Sequence, residues 1–269
     1  DDLVDYVFED PESGNKLLLV GDTAQLPPVN QEISPALDLT CLERQYNLNV
    51  LAHLLTDVVR QKEASGILEN ATQLRLEIAK KQFAPIFSTK PYRDIYRMTS
   101  EKLEDGLIYA YNKFGVENTT IICRSNRNAT HYNNYIRQQI LYKESELDAG
   151  DFLMIVRNNY FWLSPESQAG FLANGEFVEV MGVGSVEELH GLRFMDLRLR
   201  LVDYPEEPIF DAKVILDTLH NFTPALSQEE NNKLYEAVME DYADAEDRKE
   251  QMEMMRSDPY LNALQVKFA

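Results

Sequence analysis

An apolar run, Leu17-Leu18-Leu19-Val20, ends on Gly21-Asp22, and the chain then reaches Pro27-Pro28. A run of this length bounded by turn residues suits a buried strand. Gly21 has no Cβ and allows a sharp exit from that strand. The paired prolines forbid a helix directly afterwards and hold the chain extended. Asp22 and Gln25 are therefore expected just past the carboxyl end of a strand. In open α/β sheets that edge is where ligands bind. An ordinary strand–turn satisfies the same residues.

Apolar spacing predicts helices over residues 49–62, 66–82 and 128–142, another that starts near Ser100 and continues through Tyr111, and a helix end over 1–8. Short strands are expected at 95–98 and at 119–123, the latter being Thr119-Thr120-Ile121-Ile122-Cys123. Strands separated by helices argue for a parallel sheet. From Gly150 the pattern changes. Segments 151–156, 177–180, 194–202 and 213–217 are strand-like and separated by glycines, prolines and polar turns. Met195, Leu197, Leu199 and Leu201 alternate with Asp196, Arg198 and Arg200, as a half-buried strand requires. A small all-β barrel fits this region. A long acidic helix is expected to about residue 256, then a strand over 261–268.

At 269 residues the chain has room for two domains. Its 44% hydrophobic and 26% charged residues are those of a globular protein. No apolar run approaches the ~20 residues that span a bilayer, and no secretory signal pattern opens the sequence. Cys41 and Cys123 lie far apart without metal-site spacing, which points to reduced thiols in a cytoplasmic protein. A disulfide remains compatible with the sequence alone. The net charge of −19 opposes binding to a polyanion, which usually needs a basic patch. Much of the acid, however, is gathered between Gln228 and Asp258, opposed by Lys233, Arg248, Lys249 and Arg256, and reads as a solvated face.

The string Gly21-Asp22-Thr23-Ala24-Gln25-Leu26-Pro27-Pro28-Val29 resembles motif III of superfamily I helicases, in the RecD-like branch (the exonuclease V alpha-subunit family). Val58-Val59-Arg60-Gln61 is similar to motif IV of that family. Gly150-Asp151, then Asn158-Asn159-Tyr160 and Asn174-Gly175-Glu176, resemble the segment that opens its SH3-like domain 2B, although the connection 161–173 is longer than the family pattern. The resemblance implies an α/β fold: RecA-like (P-loop NTPase-type) parallel-sheet helicase domains with an inserted small SH3-like β-barrel. Residues 1–55 would be the C-terminal part of domain 1A and 56–149 the first part of domain 2A. Residues 150–218 would form the barrel, and 219–269 an acidic helix and a return to domain 2A.

The same resemblance implies a DNA helicase that couples ATP hydrolysis to movement along single-stranded DNA, in recombination or repair. No Gly-x-x-x-x-Gly-Lys-Ser/Thr loop occurs in the sequence, and the Asp-Glu pair expected before motif III is absent. The sequence therefore looks like the interior of such a helicase, without Walker A, Walker B or the C-terminal motifs. ATP and Mg²⁺ would belong to the full-length parent. This piece is expected to bind neither and to lack ATPase activity. Weakly held single-stranded DNA and other exonuclease V-type subunits are the implied partners, with no membrane among them.

By resemblance Gln25 is the motif III glutamine, whose amide both donates and accepts and so suits a group linking γ-phosphate to DNA. Asp22 would support the metal and water site, and Gly21 would shape the nucleotide edge. Arg60, with Gln61 beside it, would reach the γ-phosphate, where a guanidinium stabilises developing charge. A surface arginine near a helix end is the competing reading. Pro27 and Pro28 would line the DNA path. Arg124, Ser125, Asn126 and Arg127 stand between a strand and a helix and suit a DNA phosphate, or plain N-capping by Ser125 or Asn126. Asn158, Asn159, Tyr160 and Asn174 are candidate DNA contacts on the barrel. Trp162 and Phe161 are expected to anchor a loop more than to stack on bases. No metal-ligand pattern stands out. The alternatives are a non-catalytic nucleic-acid-binding or scaffold module that keeps a degenerate helicase half, and an RNA helicase of the same superfamily.

Overall fold

The alternation of Leu197, Leu199 and Leu201 with Arg198 and Arg200 needs a sheet with one buried face. In the computed structural model, which describes all residues except 1, 11, 29, 58–64, 82, 83, 91 and 224, that sheet is a closed barrel. Its strands are β1 (Phe152–Ile155), β2 (Phe177–Leu189), β3 (Leu192–Leu201), β4 (Phe210–Ile215) and β5 (Leu264–Phe268). Neighbours in sequence pair antiparallel, except β4 with β5, which run parallel. β5 closes the ring by pairing antiparallel with β1. Leu153 stands opposite both Val178 and Phe268, and Val178 opposite Leu201. These side chains share one core with Ile155, Val180, Leu197, Leu199, Val214 and Val266. Full burial of each such side chain contributes about 1.5–3 kcal/mol. His190 and Gly191, with φ of 52° and 74°, make the two-residue turn between β2 and β3, a backbone twist that matches the strands on either side.

The chain divides into two units, Asp1–Thr99 and Ser100–Ala269. The first contains α1 (Asp2–Val7), α2 (Leu39–Gln45) and α3 (Gly66–Ala79). Asp38 caps α2 by accepting from the Thr40 and Cys41 N–H groups. α3 starts where expected, capped by Ser65, and Asp94 accepts from the Ser65 hydroxyl at 2.6 Å and the Gly66 N–H at 3.0 Å. Those bonds hold the Asp94 carboxyl below its ordinary pKa, the Ser65 hydroxyl having the largest effect.

The second unit contains α4 (Leu103–Phe114), α5 (Asn126–Tyr135), α6 (Asp217–His220), α7 (Gln228–Asp241) and α8 (Arg248–Arg256) besides the barrel. The acidic stretch is thus two helices rather than one. α7 opens on a capping box formed by Ser227 and Glu230. Leu234, Val238 and Met255 of these helices pack with Phe194 and Ile215 in a second apolar cluster. Phe194 and Met195 are adjacent on β3 and enter different cores, as the two-residue period of a strand requires.

Among the described residues the strands form the closed barrel and not the parallel RecA-like sheet expected from the sequence. Residues 16–20, 95–98 and 119–123 form no strand, and Leu18, Val20 and Ile122 are 85%, 82% and 94% exposed. A strand persists when its backbone groups pair and one face is buried, and none of these three runs has a ladder within its own unit. The helix expected over 49–62 also fails: residues 49–57 are not helical, Leu51 is 96% exposed, and 58–62 lie outside the described residues. The small barrel agrees with expectation only in part. Its fifth strand comes from 264–268, within the segment expected to return to domain 2A, and its β4–β5 pair is parallel.

One buried ion cluster ties helix to barrel. α5 continues into a single π turn, Ile136–Ile140, that buries Ile136 and Arg137. The Arg137 guanidinium donates to both oxygens of Asp151, at 3.1 and 2.8 Å, and to the Ser145 carbonyl at 3.1 Å. Lys143 adds a bond to Asp151 at 2.7 Å. Both the Arg137 and Asp151 side chains are more than nine-tenths buried. Removing Arg137 takes two charge-assisted bonds from the buried Asp151 and leaves Lys143 as its remaining cation, and breaking a buried ionic set is strongly destabilising. Arg137→Met is expected to lower stability by about 3–5 kcal/mol in urea unfolding. Arg200→Met, which breaks a more exposed pair with Glu179, is expected to cost less than about 1 kcal/mol. Equal effects would show that the cluster does not hold the barrel.

Candidate functional site

Gly21 sits where the chain passes close to Leu37: a Cβ at Gly21 would meet Leu37 Cδ1 at 2.8 Å. Asp22 then closes a tight turn. Its carboxylate accepts from the Ala24 N–H at 2.9 Å, and its carbonyl accepts from the Gln25 N–H at 3.1 Å. The turn borders an open hollow of about 460 Å³, lined among others by Gly21, Gln25, Pro27, Pro28 and Leu37. Gln25, Pro27 and Pro28 are exposed.

The sequence reading missed the partner of Asp22. Arg75 of α3 donates two parallel bonds to it, Nη1 to Oδ1 at 2.8 Å and Nη2 to Oδ2 at 2.7 Å. This fork geometry is the strong form of an arginine–carboxylate pair. Arg75 lies within a helix that the sequence does predict, but 53 residues separate the partners, and no local pattern joins them. The Arg75 bonds, with a smaller effect of the Ala24 N–H, lower the Asp22 pKa from 3.8 to about 2. Arg75 thereby balances the Asp22 charge and takes one acceptor direction on each oxygen. Among the described residues no group of three metal-ligating side chains occurs.

Arg60 and Gln61 lie outside the described residues. In the second unit Ser125 is an N-cap, accepting from the Asn128 N–H at 3.3 Å, which is the plain alternative weighed for it. Arg124, Asn126 and Arg127 are exposed. The Arg127 guanidinium lies over the Phe222 ring at 5.5 Å.

The barrel residues Asn158, Asn159 and Asn174 come together, but mainly as a structural knot. The Asn158 side chain accepts from the Asn174 N–H at 2.8 Å and donates to the Tyr160 hydroxyl at 3.3 Å. Asn159 pairs its backbone with Leu172. Its side chain donates to the Asn262 carbonyl at 2.8 Å and accepts from the Phe161 N–H at 3.0 Å. Trp162 Nε1 donates to the same Asn262 carbonyl at 2.7 Å, and its ring packs on the barrel core, so it anchors the loop. Asn158, Tyr160 and Asn174 are exposed, Tyr160 by 74%, with its ring stacked on Phe171 at 4.8 Å.

Because the Asp22 pKa is depressed, the pair adds stability above pH 3.8 and loses it as pH falls toward about 2. With Arg75 58% exposed, solvent screening keeps that contribution small. Arg75→Met is expected to return the Asp22 titration to its ordinary range in carboxyl-detected NMR. An unchanged titration would show that the fork does not form in solution.

No family model matches the chain, and no curated protein matches it either. No helix among the described residues is long and apolar enough to cross a membrane.

Proposed function

We propose that this chain works in a cytoplasmic, ATP-dependent DNA helicase of RecD-like type, coupling nucleotide state to single-stranded DNA in recombination or repair. The observation that carries this reading is the ordered string Gly21-Asp22-Thr23-Ala24-Gln25-Leu26-Pro27-Pro28 and its resemblance to a helicase motif III. The tight turn at Asp22 and the exposed Gln25 support it, because an amide that donates and accepts is then open to ligands. ATP and Mg²⁺ would be held with a phosphate loop that these residues do not contain. Other exonuclease V-type subunits are proposed partners.

A second reading is favoured by the closed barrel and its buried Arg137–Asp151 cluster, a small β architecture of a kind that binds oligonucleotides. In that reading the chain is a non-catalytic nucleic-acid-binding module. Purified 1–269 is expected to show no ATP turnover with or without oligothymidine; DNA-stimulated hydrolysis would overturn this. In a polypeptide that joins the chain to a phosphate loop, Arg60→Ala is expected to lower kcat by on the order of 10²-fold or more, and Gln25→Ala to weaken the coupling of hydrolysis to DNA. An unchanged kcat and unchanged coupling in both variants would leave the binding module.

A further inference from the structure

From Asn118 to Lys143 the chain carries no Asp or Glu, although it has 45 of them in all. That stretch contains α5 and the exposed residues Arg124, Arg127 and His131. A distant segment joins it. Phe222, 52% exposed, lies under the Arg127 guanidinium at 5.5 Å and beside the His131 ring at 5.8 Å. Lys267 of β5 donates to the carbonyl of Asn221, the residue before Phe222. Its partly buried ammonium is held below its ordinary pKa by desolvation, so a nearby anion would relieve it. Among the described residues neither Arg124, Arg127 nor Lys267 is paired with a carboxylate.

We propose that Arg124, Arg127, His131, Phe222 and Lys267 form a binding surface for single-stranded nucleic acid, on which a base stacks against Phe222 and the arginines and lysine hold its phosphates. This deepens the reading above by naming the residues that take the strand, and it rests on that reading only for the identity of the partner. An open aromatic ring among cations is the composition that binds single strands without reading their sequence. Arginine suits phosphate because its planar fork donates two bonds at once. No acid is contributed by this stretch itself in a chain whose net charge is −19. From other elements, Glu104 meets Tyr135 at the far end of α5 and Glu146 meets His220, while Arg124, Arg127 and Lys267 supply the local charge that governs where an anion settles. An acidic peptide would find the same cations but no use for the ring.

The test is fluorescence anisotropy of labelled oligothymidine with purified 1–269 at low salt. Phe222→Ala is expected to weaken binding roughly five- to a hundred-fold, the range for loss of one stacked base. Phe222→Leu, which keeps apolar bulk and removes the ring, should weaken it too while thermal unfolding stays unchanged. Arg124→Ala and Arg127→Ala should each lower the slope of log K against log salt by about 0.7. Arg248→Ala on α8 serves as the control and should change little. No binding by the wild-type chain, or equal binding by Phe222→Leu, would overturn the proposal. So would competition by polyglutamate as strong as by unlabelled oligothymidine, which would mark a site for any polyanion. The Gln25 and Arg60 variants act on ATP turnover and report separately on the motor reading.

Discussion

β5 holds the barrel of this protein together. Leu264–Phe268 pairs with β4 on one side and β1 on the other, and without it neither of those strands has a second partner. The closure joins residues more than a hundred positions apart, so its entropic cost is met only when the whole inward set, from Leu153 to Phe268, is buried at once. Polar contacts fix the register. The Thr218 hydroxyl accepts from the Val266 N–H at 3.1 Å, and the Asn133 side chain donates to the Phe268 carbonyl at 2.9 Å. Asp151, just before β1, is held by Arg137 and Lys143. α5 and the barrel are therefore one mechanical piece, and α5 presents Arg127 and His131 beside Phe222.

The barrel was legible where residues alternate. Leu197, Leu199 and Leu201 against Arg198 and Arg200 state both the period and the buried face. Leu17–Val20 and Ile121–Cys123 are equally strand-like in composition, yet they stay unpaired, because propensity says nothing about whether a neighbouring strand exists. The apolar stripe at Leu51, Leu54 and Leu55 is likewise exposed, and helices draw most of their stability from packing. Caps, which are local, read well: Ser125 and the start of α3 fall where the sequence places them.

Contacts made across long separations were not legible. Arg75 reaches Asp22 from another element, and Phe222 reaches Arg127 from the segment after α6. The asparagines at 158, 159 and 174 show the reverse. Their residue type suits a ligand, but the Asn158 and Asn159 side chains are spent on Tyr160, Asn262 and the loop backbone, and Asn174 gives its N–H to Asn158. Charge follows the same division. The acidic residues collect on α7 and α8, whose other faces bury Leu234, Val238 and Met255, while α5 carries no acid at all.

Hydrogen exchange of the intact chain, read by mass spectrometry, tests most directly that the closed barrel, and not a parallel sheet, is the stable centre. Slow exchange is predicted across β1, β3, β4 and β5, including residues 264–268, with fast exchange across 17–20 and 119–123. Protection of 17–20 and 119–123 as strong as that of the barrel strands would contradict the account, because those runs would then belong to a paired sheet.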